Sequence, residues 1–450
     1  AISYMCILKS CGSIASASEG KETHAEMIKK GLLDKDPLLG NALVYMYAKC
    51  GLLLEAQEIF DRLLTCDVVS WTTIITGYAD HGYSKEALSC FEQMQSQGVH
   101  PNAITFISVL KACMDIGAIE KGQAIHMRVD KEGLLENHVL VGSTLVAMYS
   151  KCGSPTKARE VFDNLPVRDV VSWTVLITGY AQEGKGHQAL NCFERMRKEG
   201  LSPDDVTFTS ILQACGRIGA IDKGKQIHED IISRGLLKKN IMLGNVLVDM
   251  YARNGELAKA QEVLEGMPIR NVVTWNTLIA GYAQEEKGHE ALKSFGRMQK
   301  EGLSPNEITF TCILKACGNV GAIDKGIQIH DEIIKGGWLA QNIVLGNALV
   351  DMYAKCGILS KALKVFEELP VRDTISWSAL ISGYAQEGHC DEVVKYFKEM
   401  LREGLAPNEV TFLCLLSACS HTGKLNEAEM YYEDMSLKYG VLPQLAHHTC

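Results

Sequence analysis

The sequence has no apolar run approaching the roughly 18 residues that a membrane-spanning helix needs, so no such span is expected. Proline is scarce, at 10 residues in 450, and aromatics make up only 7%, a balance that suits helices better than a sandwich or barrel. Cys-x-x-Cys is missing although there are 16 cysteines, which removes the commonest zinc and dithiol frameworks. No secretory leader opens the chain, and a reduced intracellular compartment is the expectation. A basic excess is missing too. With 54 acidic against 45 basic residues the formal charge is −9, so any nucleic-acid contact has to be local and groove-directed. The chain begins AISYMCILKS, without an initiator Met, and ends AHHTC, so both ends read as cut. What is present, 47% hydrophobic and 22% charged residues at a mean hydropathy of +0.01, excludes a disordered or collagen-like chain.

The dominant feature is internal repetition. CGSIASASEGKETHAEMIKKG at Cys11 returns as CMDIGAIEKGQAIHMRVDKEG at Cys113, CGRIGAIDKGKQIHEDIISRG at Cys215 and CGNVGAIDKGIQIHDEIIKGG at Cys317. A divergent copy follows at Cys419. The step is 102 residues, kept by Trp71, Trp173, Trp275 and Trp377 and by His24, His126, His228 and His330. Each 102-residue block divides into subunits of 36, 31 and 35 residues, as in 103–138, 139–169 and 170–204. In the third type Trp71, Ile74, Ile75 and Tyr78 fall at i, i+3, i+4 and i+7, one face of a helix. Gly82 marks a turn, Ala87, Phe91 and Met94 stripe a second helix, and Gly98 and Pro101 end it. The second type repeats the plan with Leu145, Met148 and Tyr149, Gly153, then Ala158 and Phe162. A hairpin of about 35 residues cannot bury its own apolar stripe, whereas stacked hairpins bury a continuous core. The predicted fold is all-α, a right-handed superhelical solenoid of about 13 helix-turn-helix hairpins over 1–444, with 445–450 opening another.

The motifs resemble the pentatricopeptide repeat family, in its plant subclass that alternates P, L and S motifs. VVSWTVLITGYAQEGKGHQALNCFERMRKEGLSPD is similar to the P type, VTFTSILQACGRIGAIDKGKQIHEDIISRGL to the L type and LGNALVDMYAKCGILSKALKVFEELPVRD to the S type. On this resemblance L, S and P units run 1–36, 37–67 and 68–102, recur over 103–204, 205–306 and 307–408, and end with an L unit at 409–444. The resemblance implies sequence-specific binding of single-stranded RNA, one base per repeat, in mitochondria or chloroplasts. It further implies a specificity role in C-to-U editing, a helper protein seated on the L units, and a deaminase domain in cis or in trans. It implies no cofactor, no membrane partner and no catalytic centre in this chain. Occupancy of an RNA site that protects or processes a transcript, or a protein-interaction solenoid without RNA, are the alternatives.

In the family the fifth and last residues of a motif discriminate bases. An ionised Asp only accepts and suits the imino N–H of guanine or uracil; Asn donates and suits the ring nitrogens of adenine or cytosine. A small fifth-position hydroxyl leaves room for a purine, and Asn favours a pyrimidine. Carried onto this sequence, Asn41 with Asp67 reads U, Thr72 with Asn102 reads A, and Ser143 with Asp169 and Thr174 with Asp204 read G. Asn245 with Asn271 and Asn276 with Asn306 read C, or more loosely a pyrimidine, Asn347 with Asp373 reads U, and Ser378 with Asn408 reads A. The L pairs Met5/Asp36, Ile107/His138 and Leu413/Gln444 have apolar fifth residues that cannot hydrogen-bond a base, while Thr209/Asn240 and Thr311/Asn342 still fit adenine. The target so predicted is 5′-N-U-A-N-G-G-N-Y-Y-N-U-A-N. The second residues, Val69, Val171, Val273 and Ile375 in P units and Leu38, Leu140, Met242 and Val344 in S units, would wedge between neighbouring bases. Helix capping by the last residues, and packing of the helix start by the second residues, are the structural alternatives.

Other chemistry fails on spacing. His24-Ala25-Glu26 matches half of a zinc-deaminase signature without the Pro-Cys-x-x-Cys half; the copies at His126 and His228 do not retain the Glu, and His330-Asp331-Glu332 lacks the second half equally. These histidines read as helix-packing residues, and Cys11, Cys113, Cys215, Cys317 and Cys419 as small apolar ones. No phosphate loop and no metal set is expected. Basic clusters at Arg195, Arg197 and Lys198, and at Arg297 and Lys300, read as solvated faces.

Overall fold

The computed structural model describes residues 2–32, 37–63, 65–238, 240–339 and 342–448. They are helical throughout, with no strand among the described residues, and fall into two compact units, Ala1–Ile218 and Gly219–Cys450. Within each unit the chain runs as antiparallel helix pairs. A typical pair is Val170–Gln182 followed by Gly186–Lys198, whose buried Trp173, Leu176 and Ile177 on the first helix meet Ala189, Phe193 and Met196 on the second. First helices start at Ile2, Pro37, Val68, Ala103, Val139, Val170 and Asp205 in the first unit and at Ile241, Val272, Glu307, Ile343, Thr374 and Glu409 in the second.

Two layers result. In each unit consecutive first helices pack side by side, and each second helix packs on its own first helix and on the next one. Ion pairs such as Lys121–Glu92, Arg195–Asp163 and Arg297–Glu265 join successive second helices. The apolar cost of an isolated hairpin is thereby removed: Phe162, fully buried, places its ring 4.5 Å from that of Trp173 in the next hairpin. Phe60 with Trp71 and Phe366 with Trp377 repeat the contact at 4.7 and 4.6 Å. Edge-on pairs of this kind contribute about 0.5–1.5 kcal/mol beyond their burial.

Close approach is also written into the repeat. A side chain on Gly122 would collide with the Met148 thioether, and Gly224 and Gly326 stand in the same relation to Met250 and Met352. These glycines let the second helix of one hairpin lie down on the first helix of the next. The interhelical turn needs a left-handed residue, supplied by Gly82, Gly184 and Gly388, whereas Glu286 holds that conformation in the remaining copy at φ 56°.

Candidate functional site

The eight fifth/last pairs of the P and S units are each brought together at the junction between consecutive first helices. The last residue sits just before the next helix, in extended backbone, and caps it. Asp67 Oδ1 accepts from the Ser70 N–H at 2.9 Å, Asn102 from Thr105 at 2.9 Å, Asp169 from Ser172 at 2.8 Å and Asp204 from Thr207 at 2.8 Å. Asn271, Asn306, Asp373 and Asn408 do the same for Thr274, Thr309, Ser376 and Thr411. The capping alternative is therefore met at every one of these positions, and it uses one atom of each. A backbone N–H demands an acceptor, so Oδ1 turns inward in Asp and Asn alike. The distal atom, a carboxylate oxygen in Asp and an amide N–H2 in Asn, takes no part in the cap. Capping leaves the choice between acceptor and donor open at the surface.

The fifth residue lies beneath its partner. Thr72, Ser143, Thr174, Asn276, Asn347 and Ser378 are buried, and Asn41 and Asn245 half-buried. Seven of the eight are linked to the cap directly or through the third residue of the next helix; Ser143 bonds instead to the Val139 carbonyl of its own helix. Asn276 Nδ2 donates to Asn306 Oδ1 at 2.9 Å and Asn347 Nδ2 to Asp373 Oδ1 at 3.1 Å. Thr72 and Thr105 share a hydroxyl–hydroxyl bond of 2.7 Å, and Ser378 and Thr411 one of 2.9 Å. The third residues Ser70, Thr105, Ser172, Thr207, Thr274, Thr309, Ser376 and Thr411 are fully buried. Reasoning from the base-reading rule passed over them. The signal was there: Asp/Asn-x-x-Ser/Thr, a capping-box spacing, precedes all eight helices.

Two of the cap carboxyls, Asp67 and Asp373, are perturbed by this setting. The Ser70 N–H, with its hydroxyl and the Asn41 amide, holds Asp67 below the usual carboxylate value against the effect of burial. At Asp373 burial pushes the carboxyl up, but the Ser376 N–H and hydroxyl and the Asn347 amide together outweigh it and hold it low. Both are ionised acceptors at neutral pH.

The second residues do not pack the helix start. Leu38, Val69, Leu140, Val171, Met242, Val273, Val344 and Ile375 are 46–65% exposed. Each lies one turn before the fifth residue and on the same face. Ile104, Val206, Ile308 and Val410 of the L units are exposed in the same way, an extension of the set that the P and S motifs alone did not indicate. In the first P unit these parts converge: Val69, Thr72, Thr76, Asn102 and Ile104 line one cleft of about 280 Å³.

The L pairs differ. Thr311 donates to the Glu307 carbonyl and Asn342 caps its helix through Val344 and Leu345; the two share no hydrogen bond among the described residues. Thr209 donates back to the Asp205 carbonyl, and Asn240 accepts from the Leu243 N–H. His138 offers no side-chain cap. Asp36 lies outside the described residues. After the first four L units the third residue is Leu39, Val141, Leu243 or Leu345, with no hydroxyl to join a pair.

The remaining motifs are accounted for by packing. Nδ1 of His24, His126, His228 and His330 lies 2.8–3.0 Å from the hydroxyl of Tyr47, Tyr149, Tyr251 and Tyr353. Cys113 and Cys317 are fully buried, and burial pushes both thiols up to about 12. Arg195 and Arg297 stack over the Trp173 and Trp275 rings. Among the described residues no group of three or more His, Cys, Asp or Glu is arranged to hold a metal, and no helix is long and apolar enough to cross a membrane.

Two layers of short helix pairs, repeated with invariant spacing and presenting a recurrent polar junction, define an α-solenoid repeat protein. Models of the PPR repeat family match residues 67–115, 168–217, 270–319 and 372–421, and the PPR repeat matches 41–68, 143–170, 206–236, 245–272, 308–338, 347–373 and 410–438. A pentatricopeptide repeat-containing protein of Arabidopsis thaliana is 33% identical over 449 residues, covering 99% of this chain and 72% of its own length. A mitochondrial one from the same plant is 36% identical over 444 residues (98% and 64%), and a chloroplastic one 37% over 425 residues (94% and 68%). The chain belongs to the pentatricopeptide repeat family, and it spans 64–72% of the length of these three relatives. In fold it is similar to PPR10 in complex with an 18-nt psaJ RNA element, at a TM-score of 0.78 and 18% identity, covering 93% of this chain and 63% of that one. PPR10 from maize, at 22% identity and a TM-score of 0.62, covers 99% and 70%.

Proposed function

We propose that this chain binds single-stranded RNA in a sequence-specific manner through its P and S units, as a member of the subclass that alternates P, L and S motifs. The observation that carries the reading is the cleft in the first P unit. There the fifth residue, the last residue and the second residues of two successive units surround one space. An exposed aliphatic on either side offers stacking surface, and the distal atom of the cap offers one hydrogen bond to a base edge. Eight such junctions recur, four with Asp acceptors and four with Asn donors. The RNA in the complex of the structurally similar PPR10 supports the ligand class. The mitochondrial and chloroplastic relatives support an organellar site of action.

The role we assign is to direct C-to-U editing of an organelle transcript, with the chemistry supplied by a deaminase domain in cis or in trans and the L units free to seat a helper protein. The chain itself places the editing activity and has no part in its chemistry. A gel shift with the 13-mer N-U-A-N-G-G-N-Y-Y-N-U-A-N against scrambled RNA of the same composition tests the binding. At least about tenfold tighter binding of the 13-mer is expected. Equal affinity for both would leave a solenoid without base selectivity and end the proposal.

A further inference from the structure

Each P and S junction contains a buried hydroxyl that belongs to neither member of the base-reading pair. We propose that this hydroxyl, on the third residue of the following helix, is a positioning residue for base specificity: it decides which atom the fifth side chain turns towards the RNA. The inference rests on the RNA-binding reading above and extends it by one residue per unit.

A hydroxyl has one proton and two lone pairs. In these junctions it accepts from the N–H of the capping residue, as in Asn306 N to Thr309 Oγ1 and Asp373 N to Ser376 Oγ, both 3.1 Å. Its proton is then placed against the fifth residue. Thr274, Thr309 and Ser376 each lie 2.6 Å from Oδ1 of Asn245, Asn276 and Asn347, closer than the 2.9–3.0 Å that separates them from the cap Oδ1 of Asn271, Asn306 and Asp373. All three hydroxyls are fully buried, so no water competes for the proton. The amide oxygen is held inward and the amide N–H2 outward, and an Asn at the fifth position is presented as a donor. One N–H of Asn276 or Asn347 goes to the cap oxygen, and the other is left for a ligand.

Three of the four hydroxyl fifth residues place their proton against their own helix, whereas Thr174 lies 3.5 Å from Asp204 Oδ1 and shares a hydroxyl–hydroxyl bond with Thr207. Thr72 donates to the Val68 carbonyl and Ser378 to the Thr374 carbonyl, both at 2.6 Å, and Ser143 to the Val139 carbonyl at 3.1 Å. The next hydroxyl then meets an acceptor oxygen, as Thr105 does at Thr72 and Thr411 at Ser378.

The repeat supplies its own controls. After the first four L units the third residue is Leu or Val, and there Thr311 and Asn342 fit the base-reading rule by type yet form no cluster. In the first S unit the Ser70 hydroxyl lies 2.8 Å from Asp67 Oδ1, and the buried Asn41 Oδ1 is left with no partner. That unit is the one in which the fifth amide oxygen has no hydroxyl donor, the amide being held only through its bond to Asp67.

The test uses the whole 450-residue chain and two sets of four 13-mers, one varied at the ninth base and one at the third. Thr309→Val removes the hydroxyl without changing shape. It should cut the pyrimidine-over-purine affinity ratio at the ninth base by about tenfold while the third-base ratio stays as in the parent. Thr309→Ser should restore the ratio. Ser376→Ala, read at the eleventh base, repeats the measurement in a second junction should Thr309→Val fail to fold. An affinity loss equal for all four ninth bases, or an unchanged ratio, overturns the positioning role and leaves RNA binding standing. A parent chain that shows no preference at either base overturns the RNA reading itself, and this inference with it.

Discussion

At Asp204 one carboxylate oxygen closes the helix that begins at Asp205 and the other is unused by the cap. Asn at this position would cap with the same geometry, since Asn and Asp are nearly equal N-caps. Asp204→Asn should therefore leave the melting temperature almost unchanged and move preference at the sixth base from G towards A, read by competition between RNAs that differ only there. A second residue-scale difference sets the first P unit apart. Trp173, Trp275 and Trp377 donate their indole N–H to Glu199, Glu301 and Glu403 at 2.9–3.0 Å, and Arg168, Arg270 and Arg372 pair with the same carboxylates. One repeat earlier the partners are Gln97 and Cys66, and the buried Trp71 N–H has no acceptor. A buried unpaired donor costs about 1–3 kcal/mol. The double substitution Cys66→Arg with Gln97→Glu should recover part of that, about 1 kcal/mol, as a higher denaturation midpoint followed by Trp71 fluorescence.

At the scale of the element, the second helix of each of the first four L units is tied to the next hairpin by a histidine–tyrosine bond. Burial holds His24, His228 and His330 below their ordinary value of 6.5, helped at His24 by the nearby Arg62 charge. A base with a lowered folded pKa favours the folded state in its neutral form. The stabilisation is complete above 6.5 and is lost as pH falls through that value towards the lowered ones. His330 sharpens the case, because its Nε2 is buried without a partner and a proton there would have no acceptor. The melting temperature should fall between about pH 7.5 and 5.5, and the combined replacement of His228 and His330 by Gln should flatten the slope. An unchanged slope would mean that other groups control acid lability.

At the scale of the whole molecule, stability in a stack of this kind is close to a sum of hairpins and nearest-neighbour interfaces. Removing residues 103–204 joins Asn102 to Asp205, which restores an Asn cap ahead of Thr207 in place of Asp204. The shortened chain should retain its helical content per residue by circular dichroism. It should also prefer a 10-mer lacking the fourth to sixth bases, N-U-A-N-Y-Y-N-U-A-N. Loss of cooperative folding on this excision would contradict the nearest-neighbour description.

The helices, their order and their invariant 102-residue step were determined by the sequence alone. Apolar spacing at i, i+3, i+4 and i+7 is a local property, and Trp173, Leu176 and Ile177 or Ala189, Phe193 and Met196 are buried where that spacing put them. The residue types of the eight pairs were equally legible, since Asn, Asp, Ser and Thr recur there with fixed spacing. What those side chains do was decided only by packing. Whether Val171 covers a core or faces solvent depends on where the neighbouring helix lies, and periodicity does not specify that. Thr311 and Asn342 have the types of a reading pair, yet each bonds to its own helix instead. A buried hydroxyl such as Thr309 becomes part of the junction because two successive first helices bring it within 2.6 Å of Asn276, a residue 33 positions away along the chain. Hydrogen bonds are directional and short, and that proximity exists only once the hairpins have stacked.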